Sequence, residues 1–490
     1  MYKNHLSALH LIVFISLLIG SQTIYAQTIS GVLKDGETDQ ALPFVNISTS
    51  STYGVITNSE GEFTIQTKYL SEKDTLYFSS LGYDSKRLSL QDIDEKPIYL
   101  HPTSFTLTEV FLTNKELSAE EILKRFIENA SENYISDFQK FSIFKREKEN
   151  IRNDKMEVDF KKANFLSRAE RKAFNENLNN QIQKSGNENQ TFQDTYFHLY
   201  QNDQSEFKLD PVLATRLGDP DKEKSIDKVL VDAGETIKNK LKSNHTFKVK
   251  SGLLKLQDSL NIQANKSTDS LKMDRNKSEL GRLIEKYDFG KSIDLDFIKN
   301  PKDFDYQLIG VTNLGEEFVY QISFEPRKSK FLYRGELFIS AETFALIKLN
   351  YAIVEPQRTP GILKTVLGVH HELIDSMESA VFQKDTSQKY HLKYVHRIEN
   401  QQTYLNRNIK FIENSPDSDR MTLKAKLLVD QNLQSDSQYM MVNIEKIQPD
   451  TFKNLEDKVD IPLRIIRKYD PAIWEDYNII SPDKSMREFK

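Results

Sequence analysis

The stretch His370–Asp375, which reads HHELID, comes closest to a catalytic motif in this sequence. A zinc-protease helix carries His-Glu-x-x-His, because residues four apart on a helix direct both imidazoles at one metal ion. Here His371 and Glu372 are followed by Asp375, where the second histidine would stand. Since a carboxylate can also bind zinc, His371, Glu372 and Asp375 are candidate metal ligands.

A further ligand would have to come from another histidine, and His370, His391 and His396 are the candidates. His391 and His396 lie five residues apart in the strand-like run YHLKYVHRI, so they should face opposite sides. The pattern is more typical of ordinary strand or loop histidines. We therefore predict no metal site and no cofactor, and keep the His371 set as an alternative.

Other catalytic motifs are absent from the sequence. It has no Gly-x-Ser-x-Gly nucleophile elbow, no Gly-x-x-x-x-Gly-Lys phosphate loop and no Gly-x-Gly-x-x-Gly fingerprint. Without cysteine there can be no cysteine nucleophile. The 72 acidic residues are too many for one carboxylate pair to stand out as a glycosidase couple. No catalytic residue is predicted, although an enzyme that uses carboxylates remains an open alternative.

The N-terminal residues have the layout of a secretory signal peptide. Lys3 precedes the apolar run LIVFISLLIG, and a polar stretch then ends at the small residue Ala26. This order predicts export and cleavage after Ala26, with residues 1–26 as the signal peptide. The run is too short to span a bilayer, and no later segment has about 20 consecutive apolar residues, so no transmembrane segment is predicted.

Composition limits the classes of partner. A net charge of −5 over 490 residues gives no electrostatic reason to expect a nucleic-acid partner. The absence of cysteine excludes disulfides, thiolate metal sites and the acylated cysteine of a lipoprotein. We expect the mature protein in the periplasm or at the periphery of the outer membrane.

Residues 27–102 are predicted to form an antiparallel β-sandwich, because short alternating runs are separated by turn residues. The stretch GVITNSEGEFTI reads as a hairpin, with Phe63 and Ile65 on its buried side. Asn58, Gly61 and Gly82 are predicted structural turn residues, since asparagine and glycine tolerate turn geometry. A calcium cage would need six to eight oxygen ligands, and no such cluster is visible.

The pieces Thr57-Asn58, Gly61-Glu62-Phe63 and Gly82-Tyr83 resemble the carboxypeptidase regulatory-like domain. That resemblance implies a transthyretin-like sandwich of the kind found at the N-termini of exported envelope proteins of Bacteroidota-type bacteria. The family corresponds to the accessory sandwich of metallocarboxypeptidases and not to their zinc-binding domain. No catalytic residue is therefore carried over to this chain.

Residues 103–136 are predicted to be a linker and an amphipathic helix. Ser118 and Glu121 form a capping box, and Ile122, Phe126 and Ala130 lie on one apolar stripe that also includes Leu123 and Ile127. The run EVFL followed by this helix resembles the second part of an uncharacterised family of envelope proteins with the same N-terminal sandwich.

The rest of the chain divides into two regions that differ in composition. Residues 137–303 are predicted to be a polar mixed region of helices and loops, with a loop over 175–190 and an amphipathic helix over 226–241. Residues 304–490 alternate with period two and predict a large, curved antiparallel sheet with one polar face. A hairpin is expected near Ala341–Thr343, and the tail around Trp474 should pack on this sheet. The predicted fold class is mainly β, α+β overall.

These expectations favour an exported, non-enzymatic cell-envelope protein that acts as a binding or accessory module. Its partner would be an envelope protein, a lipid or a glycan. The alternative is a periplasmic hydrolase that uses carboxylates or a His/Asp metal site near His370–Asp375.

Overall fold

The computed structural model describes residues 28–49, 53–71, 73–93, 96–103, 117–135, 137–184, 186–218, 246–251, 254–260, 270–315, 317–358, 368–385, 387–415, 420–458 and 460–489. The predicted signal peptide, 1–26, and the predicted amphipathic helix over 226–241 lie outside the described residues.

The N-terminal unit, called the sandwich below, consists of two small sheets. Its strands are β1 (Thr28–Asp35), β2 (Asn46–Ser48), β3 (Gly54–Ile56), β4 (Glu62–Gln66), β5 (Thr75–Ser79), β6 (Lys86–Ser89) and β7 (Ile98–Leu100). One sheet has the order β4-β1-β7 and the other β3-β2-β5-β6. Phe63 and Ile65 are buried between the sheets, as the alternation predicted. The strand pairs of the sandwich are antiparallel, as predicted, except for the parallel pair β1–β7.

The turn before β4 is held by one asparagine. The Asn58 side-chain oxygen accepts hydrogen bonds from the backbone N–H groups of Glu60 and Glu62, each at 2.9 Å. Gly61 has φ +74°, a left-handed conformation that disfavours residues with a Cβ. A Cβ at Gly61 would also lie 2.4 Å from the carbonyl oxygen of Leu33.

Replacing Gly61 by alanine should therefore destabilise the protein by about 1–3 kcal/mol, because strain at a positive φ is added to a clash with rigid backbone. Gly310→Ala is the matched control, since a Cβ there meets no atom within 4 Å. Urea denaturation of both variants measures the difference. Equal stability of the two variants would contradict this account of the turn.

The rest of the described chain forms a 15-stranded sheet. Its strands are β8 (Gln139–Ala163), β9 (Glu188–Gln201), β10 (Phe207–Leu217), β11 (Phe247–Ser251), β12 (Leu254–Leu260), β13 (Ser270–Lys272), β14 (Phe304–Leu314), β15 (Glu317–Pro326), β16 (Tyr333–Ser340), β17 (Leu346–Ile353), β18 (Gln357–Arg358), β19 (Val369–Lys384), β20 (Tyr390–Glu413), β21 (Thr422–Lys446) and β22 (Asp460–Ile466). The main path is β13-β22-β10-β9-β8-β21-β20-β19-β17-β16-β15-β14.

Strands make up 54% of the structure and helices 19%, so the prediction of a mainly β fold with a large curved sheet is confirmed. The predicted hairpin is also present, because β16 and β17 pair antiparallel on either side of Ala341–Thr343. The strands β8 and β21 are each 25 residues long and span about 80 Å.

The helices are α1 (Ala119–Asn133), α2 (Arg168–Lys184), α3 (Asp274–Tyr287), α4 (Asp296–Lys299), α5 (Pro449–Asn454) and α6 (Lys484–Arg487). The capping box of α1 is formed as predicted: Ser118 N–H donates to Glu121 at 2.8 Å, and Glu121 N–H donates to the Ser118 hydroxyl at 3.2 Å. Phe126 is buried, whereas Ile127, which was placed on the same stripe, is 39% exposed.

Residues 137–303 contain β8, β9 and β10, although the sequence predicted helices and loops there. The middle of β8, from Lys145 to Lys155, is polar on both faces except at Ile151, so it lacks the apolar alternation that identifies a strand. The loop predicted over 175–190 is wrong for most of that range, because α2 extends to Lys184. Asn175 and Asn179 accept hydrogen bonds from the backbone N–H groups of Phe160 and Val158 in β8. Asparagine favours loops when the sequence is considered alone, but here two asparagine side chains hold helix α2 against strand β8.

The large sheet is covered on both faces near its centre. Helices α1, α3 and α4 pack on one face, called the helical face, against a core that includes Ile143, Phe197 and Met441. The sandwich packs on the other face, called the sandwich face, against Phe144 and Met440 among others. Neighbouring residues of one strand thus enter two different cores, as the period of two requires.

The C-terminal tail packs on the sheet as expected and also holds the sandwich. Trp474 is 2% exposed, with its ring 5.6 Å from that of Phe144 in β8. Farther along, the side-chain oxygen of Asn478 accepts a hydrogen bond from the backbone N–H of Gln66 at 2.8 Å. Arg487 forms an ion pair with Glu60 at 2.5 Å. The polar turn of the sandwich is therefore a docking point for the tail.

Candidate functional site

A cleft of about 780 Å³, called the trough below, lies across five strands of the large sheet. All the residues that line it belong to β14, β15, β16, β17 and β19. They are Asp305, Tyr306, Gln307, Ser323, Phe324, Glu325, Arg334, Gly335, Glu336, Asn350, Tyr351, Ala352 and Met377. The charged and amide side chains of this set face the side of the sheet opposite to the helices.

Strand register places the trough on the sandwich face. In β15, Ile322 and Phe324 are buried in the helical core, so Ser323 and Glu325 between them point the other way. Ser323 lies opposite Glu336, and Glu336 lies opposite Asn350. Successive strands therefore carry one polar side chain each, at the strand spacing of about 4.8 Å.

Several polar groups of the trough are already satisfied. The Gln321 amide donates to Glu336 at 2.9 Å, and the Ser379 hydroxyl donates to the amide oxygen of Asn350 at 2.8 Å. These bonds fix the side chains of Glu336 and Asn350 in the middle of the trough.

Other polar groups are available to a ligand. Within the described residues, Gln307, Glu325 and Arg334 form no side-chain hydrogen bond and no ion pair. Glu325 and Arg334 adjoin each other across β15 and β16, because the next pair along is Phe324 opposite Gly335. The trough therefore offers a carboxylate, a guanidinium and an amide to a polar partner.

A lysine lies next to the residues that line the trough. Lys348 follows Glu336 and Asn350 on the same face and is opposite Phe338. Burial lowers the pKa of the Lys348 ammonium, and the nearby charge of Glu336 raises it in part.

A buried network of charges lies on the helical face, on the side of the sheet opposite to the trough. The Glu378 carboxylate in β19 accepts hydrogen bonds from Lys286 of α3 at 2.8 Å and from Arg397 of β20 at 2.6 Å. It also accepts from the hydroxyls of Tyr351, at 2.9 Å, and Tyr287. Since Tyr351 lines the trough, this network ties the trough to helix α3.

The network determines the ionisation of Glu378. Burial alone would raise the pKa of this carboxyl group, but the charges of Lys286 and Arg397 and the hydrogen bonds outweigh it. The pKa of Glu378 is lowered to about 2. A carboxylate with four donors in a low-dielectric site holds its neighbours rigidly.

The sequence-derived metal candidates lie elsewhere on β19, which is a strand and not a helix. Glu372 pairs with Arg358 at 2.6 Å and with His370 at 3.2 Å, whereas His371 contacts the Thr403 hydroxyl at 3.1 Å. Consecutive strand residues face opposite sides, so His371 and Glu372 diverge. The hydrogen bond and charge of Arg358 lower the pKa of Glu372.

The other histidines do not join that set. His396 pairs with Asp436 at 2.9 Å, and His391 is 7% exposed. In the part of the chain that the structure describes, no group of three His, Asp or Glu side chains could hold a metal ion. The trough residues were missed by sequence reasoning, because Glu325 and Arg334 are ordinary residue types on an alternating strand.

Comparison with known proteins identifies the first unit. Its residues fit the family model of a small non-catalytic domain. Residues 29–112 are a CarboxypepD_reg-like domain. The resemblance inferred from the sequence is confirmed. Such a domain fits a non-catalytic accessory protein.

A solved structure also resembles the chain. It is the crystal structure of a protein of unknown function from Bacteroides fragilis NCTC 9343, described as membrane-associated. The two sequences are 9% identical, and the match covers 84% of this chain and 98% of that one, with a TM-score of 0.13. A likeness at that score supports no argument about function. No curated protein matches the chain.

Proposed function

We propose that the protein is a non-enzymatic accessory protein of the cell envelope that binds a partner in the trough. The observation that carries this proposal is the presence there of Gln307, Glu325 and Arg334, whose side chains are unpaired within the described residues. A cleft that contains unpaired charged and amide side chains is suited to binding, because a ligand can satisfy those groups.

The lining favours a protein or glycan partner over a lipid. Hydrogen-bonding side chains come from each of the strands β14 to β17, and Met377 on β19 is the apolar contribution at that edge. An alkyl chain bound there would leave these polar groups without water or partners, which is costly. The CarboxypepD_reg-like domain is a non-catalytic accessory domain, and this also supports a binding role.

The envelope location rests on the N-terminal sequence, with its single lysine, apolar run and small residue at Ala26. We place the mature protein in the periplasm or at the periphery of the outer membrane. In the described residues, no helix is both long and apolar enough to cross a membrane.

Chemical cross-linking in intact cells, followed by purification through a C-terminal tag and mass spectrometry, tests this function. One envelope component should be recovered in near-equal amount with the wild type. Glu325→Arg should reduce its recovery at least tenfold, because the trough loses its unpaired carboxylate and gains a cation beside Arg334. Glu157→Arg, at an exposed glutamate of β8, is the matched control and should retain the partner.

Equal recovery with Glu325→Arg and with the control would show that the trough is not the binding site. Turnover of any substrate in a hydrolase panel by the purified wild type would overturn the non-enzymatic assignment.

A further inference from the structure

The strand β14 is an edge of the large sheet. It pairs with β15 on one side, and the order of the sheet ends there. Among the described residues, the main chain of Asp305–Thr312 makes no hydrogen bond except to β15. This stretch of eight residues is about 26 Å long.

Contacts close one end of this open stretch and leave its middle free. The sandwich covers the far end, where the backbone N–H of Gly82 donates to the carbonyl oxygen of Asn313 at 2.9 Å. In the middle, Ile309 is 46% exposed and a Cβ at Gly310 would meet no atom within 4 Å. The described structure therefore leaves space beside the edge.

The sequence of this stretch does not protect it. Natural edge strands are commonly blocked by lysine, proline or inward-pointing charges, because an open edge recruits other strands. The stretch DYQLIGVT contains neither lysine nor proline, and Asp305 is its one charged residue. Its composition is typical of an internal strand, which has a neighbouring strand on each side.

An added strand would meet the trough directly. Its alternate side chains would lie on the sandwich face beside Asp305 and Gln307, at the mouth of the trough. The remaining side chains would lie on the helical face beside Tyr306 and Leu308, which pack against the helical core. The side chains of the added strand on the sandwich face therefore need to be polar, and those on the helical face need to be apolar.

Charge selects among polar side chains. Asp305 and Glu325 lie opposite each other at the mouth, and Glu325 is unpaired among the described residues. Arg327 neutralises Asp305 through a contact of 2.7 Å between exposed groups, which water and a competing cation can displace. A basic side chain on the incoming strand would pair with Glu325.

We propose that β14 receives an extended segment of a partner protein in which basic and apolar residues alternate. This mode adds main-chain hydrogen bonds at the edge to side-chain recognition in the trough. The proposal rests on the proposed function, since it names the class of partner for the same trough.

The test uses the full-length mature chain and an eight-residue synthetic probe, fluorescein-labelled (Lys-Val)₄-amide, with binding followed by fluorescence anisotropy. We expect saturable binding. N-methylation of alternate amides in the register that faces β14 should weaken binding at least tenfold, and methylation in the other register should leave it unchanged. A Glu-Val probe of equal length should bind at least tenfold more weakly.

Variants of the protein test which carboxylate contributes to binding of the probe. Glu325→Gln should weaken binding of the Lys-Val probe at least fivefold, whereas Asp294→Asn, an exposed carboxylate outside the trough, should not. Absence of saturable binding, or equal loss for both methylation registers, would overturn the proposal. If Glu325→Arg still loses its cellular component in that case, the proposed function stands and only the edge-strand mode fails.

Two other occupants of the edge give distinct results, and either would overturn the proposal. If residues of the chain's own segment 104–116 occupied β14, Val110→Pro would increase probe affinity many-fold; we expect no change. If a second copy occupied it, sedimentation would show a dimer that the probe dissociates; we expect a mass that does not depend on the probe.

Discussion

Replacing Glu378 by glutamine should destabilise the protein by about 3–5 kcal/mol, because Lys286 and Arg397 would keep buried charges without a counter-charge. The Glu378 side chain is 4% exposed and accepts from both cations and from two tyrosine hydroxyls. An amide in its place carries no charge and brings two N–H donors among groups that already donate. Urea denaturation at pH 7 measures the loss.

The control is Glu445→Gln, the same chemical change in an exposed pair on β21. Glu445 contacts Lys140 at 3.3 Å with a side chain that is 49% exposed. Water screens such a pair, so its loss should cost at most about 0.5 kcal/mol. Similar losses for the two variants would show that the Glu378 network does not stabilise the fold.

The pH dependence of the same comparison follows from the lowered pKa of Glu378, about 2 against 4.5 for an unperturbed glutamate. A carboxyl group with a lowered pKa in the folded state stabilises the protein fully above pH 4.5. That contribution is lost as pH falls from 4.5 towards 2. The difference in stability between wild type and Glu378→Gln should therefore shrink over this range, and a constant difference would contradict the assignment.

Replacing Lys393 by methionine should stabilise the protein at pH 7, by about 1–3 kcal/mol. Lys393 lies on β20 beneath the sandwich and is 0% exposed. Its ammonium group donates to the carbonyl oxygens of Met441, at 3.0 Å, and Gly54, at 3.3 Å. Burial lowers the pKa of Lys393 from 10.5 to about 7, so the charged form is expensive in the folded state. Methionine fills a similar volume without that charge.

Lys393 destabilises the folded state where Glu378 stabilises it, but in both cases the stability of the wild type rises with pH. A lysine whose pKa is lowered by folding destabilises the folded state fully below pH 7, and this penalty disappears as pH rises from 7 to 10.5. The gain from Lys393→Met should therefore decline over that range. Lys162→Met, on an exposed part of β8, should show no such trend. Lower stability of Lys393→Met at pH 7 would mean that the hydrogen bonds to the two carbonyls outweigh desolvation.

Features that depend on neighbours in sequence could be predicted. The capping box of Ser118 and Glu121, the buried Phe126 and the β16–β17 hairpin each follow from a few adjacent residues. The turn at Asn58 and Gly61 also follows from local conformational preferences. In each case the interaction that fixes the conformation lies within one helix turn or one hairpin.

Features that depend on register between distant strands could not be predicted. The trough exists because Glu325, Arg334 and Asn350 come to one face of three paired strands. Likewise, Asn175 marks a loop in isolation and becomes a helix anchor only when β8 lies beside it. No spacing in the sequence shows that Glu378 meets Lys286, since the helix and the strand pack through tertiary contacts.

The docking of the tail on the sandwich has a consequence for the order of folding. The hydrogen bond from the Asn58 amide to the carbonyl oxygen of Pro482 joins residues 424 positions apart, whereas the pairs within the sandwich join near neighbours. Closing a loop of that length has a large entropic cost, and contacts of high sequence separation form slowly. The sandwich can therefore fold early and independently, yet it can be fixed in place only after the large sheet has formed. During that interval, the surfaces that bury Phe144 and Met440 remain accessible to chaperones or to aggregation.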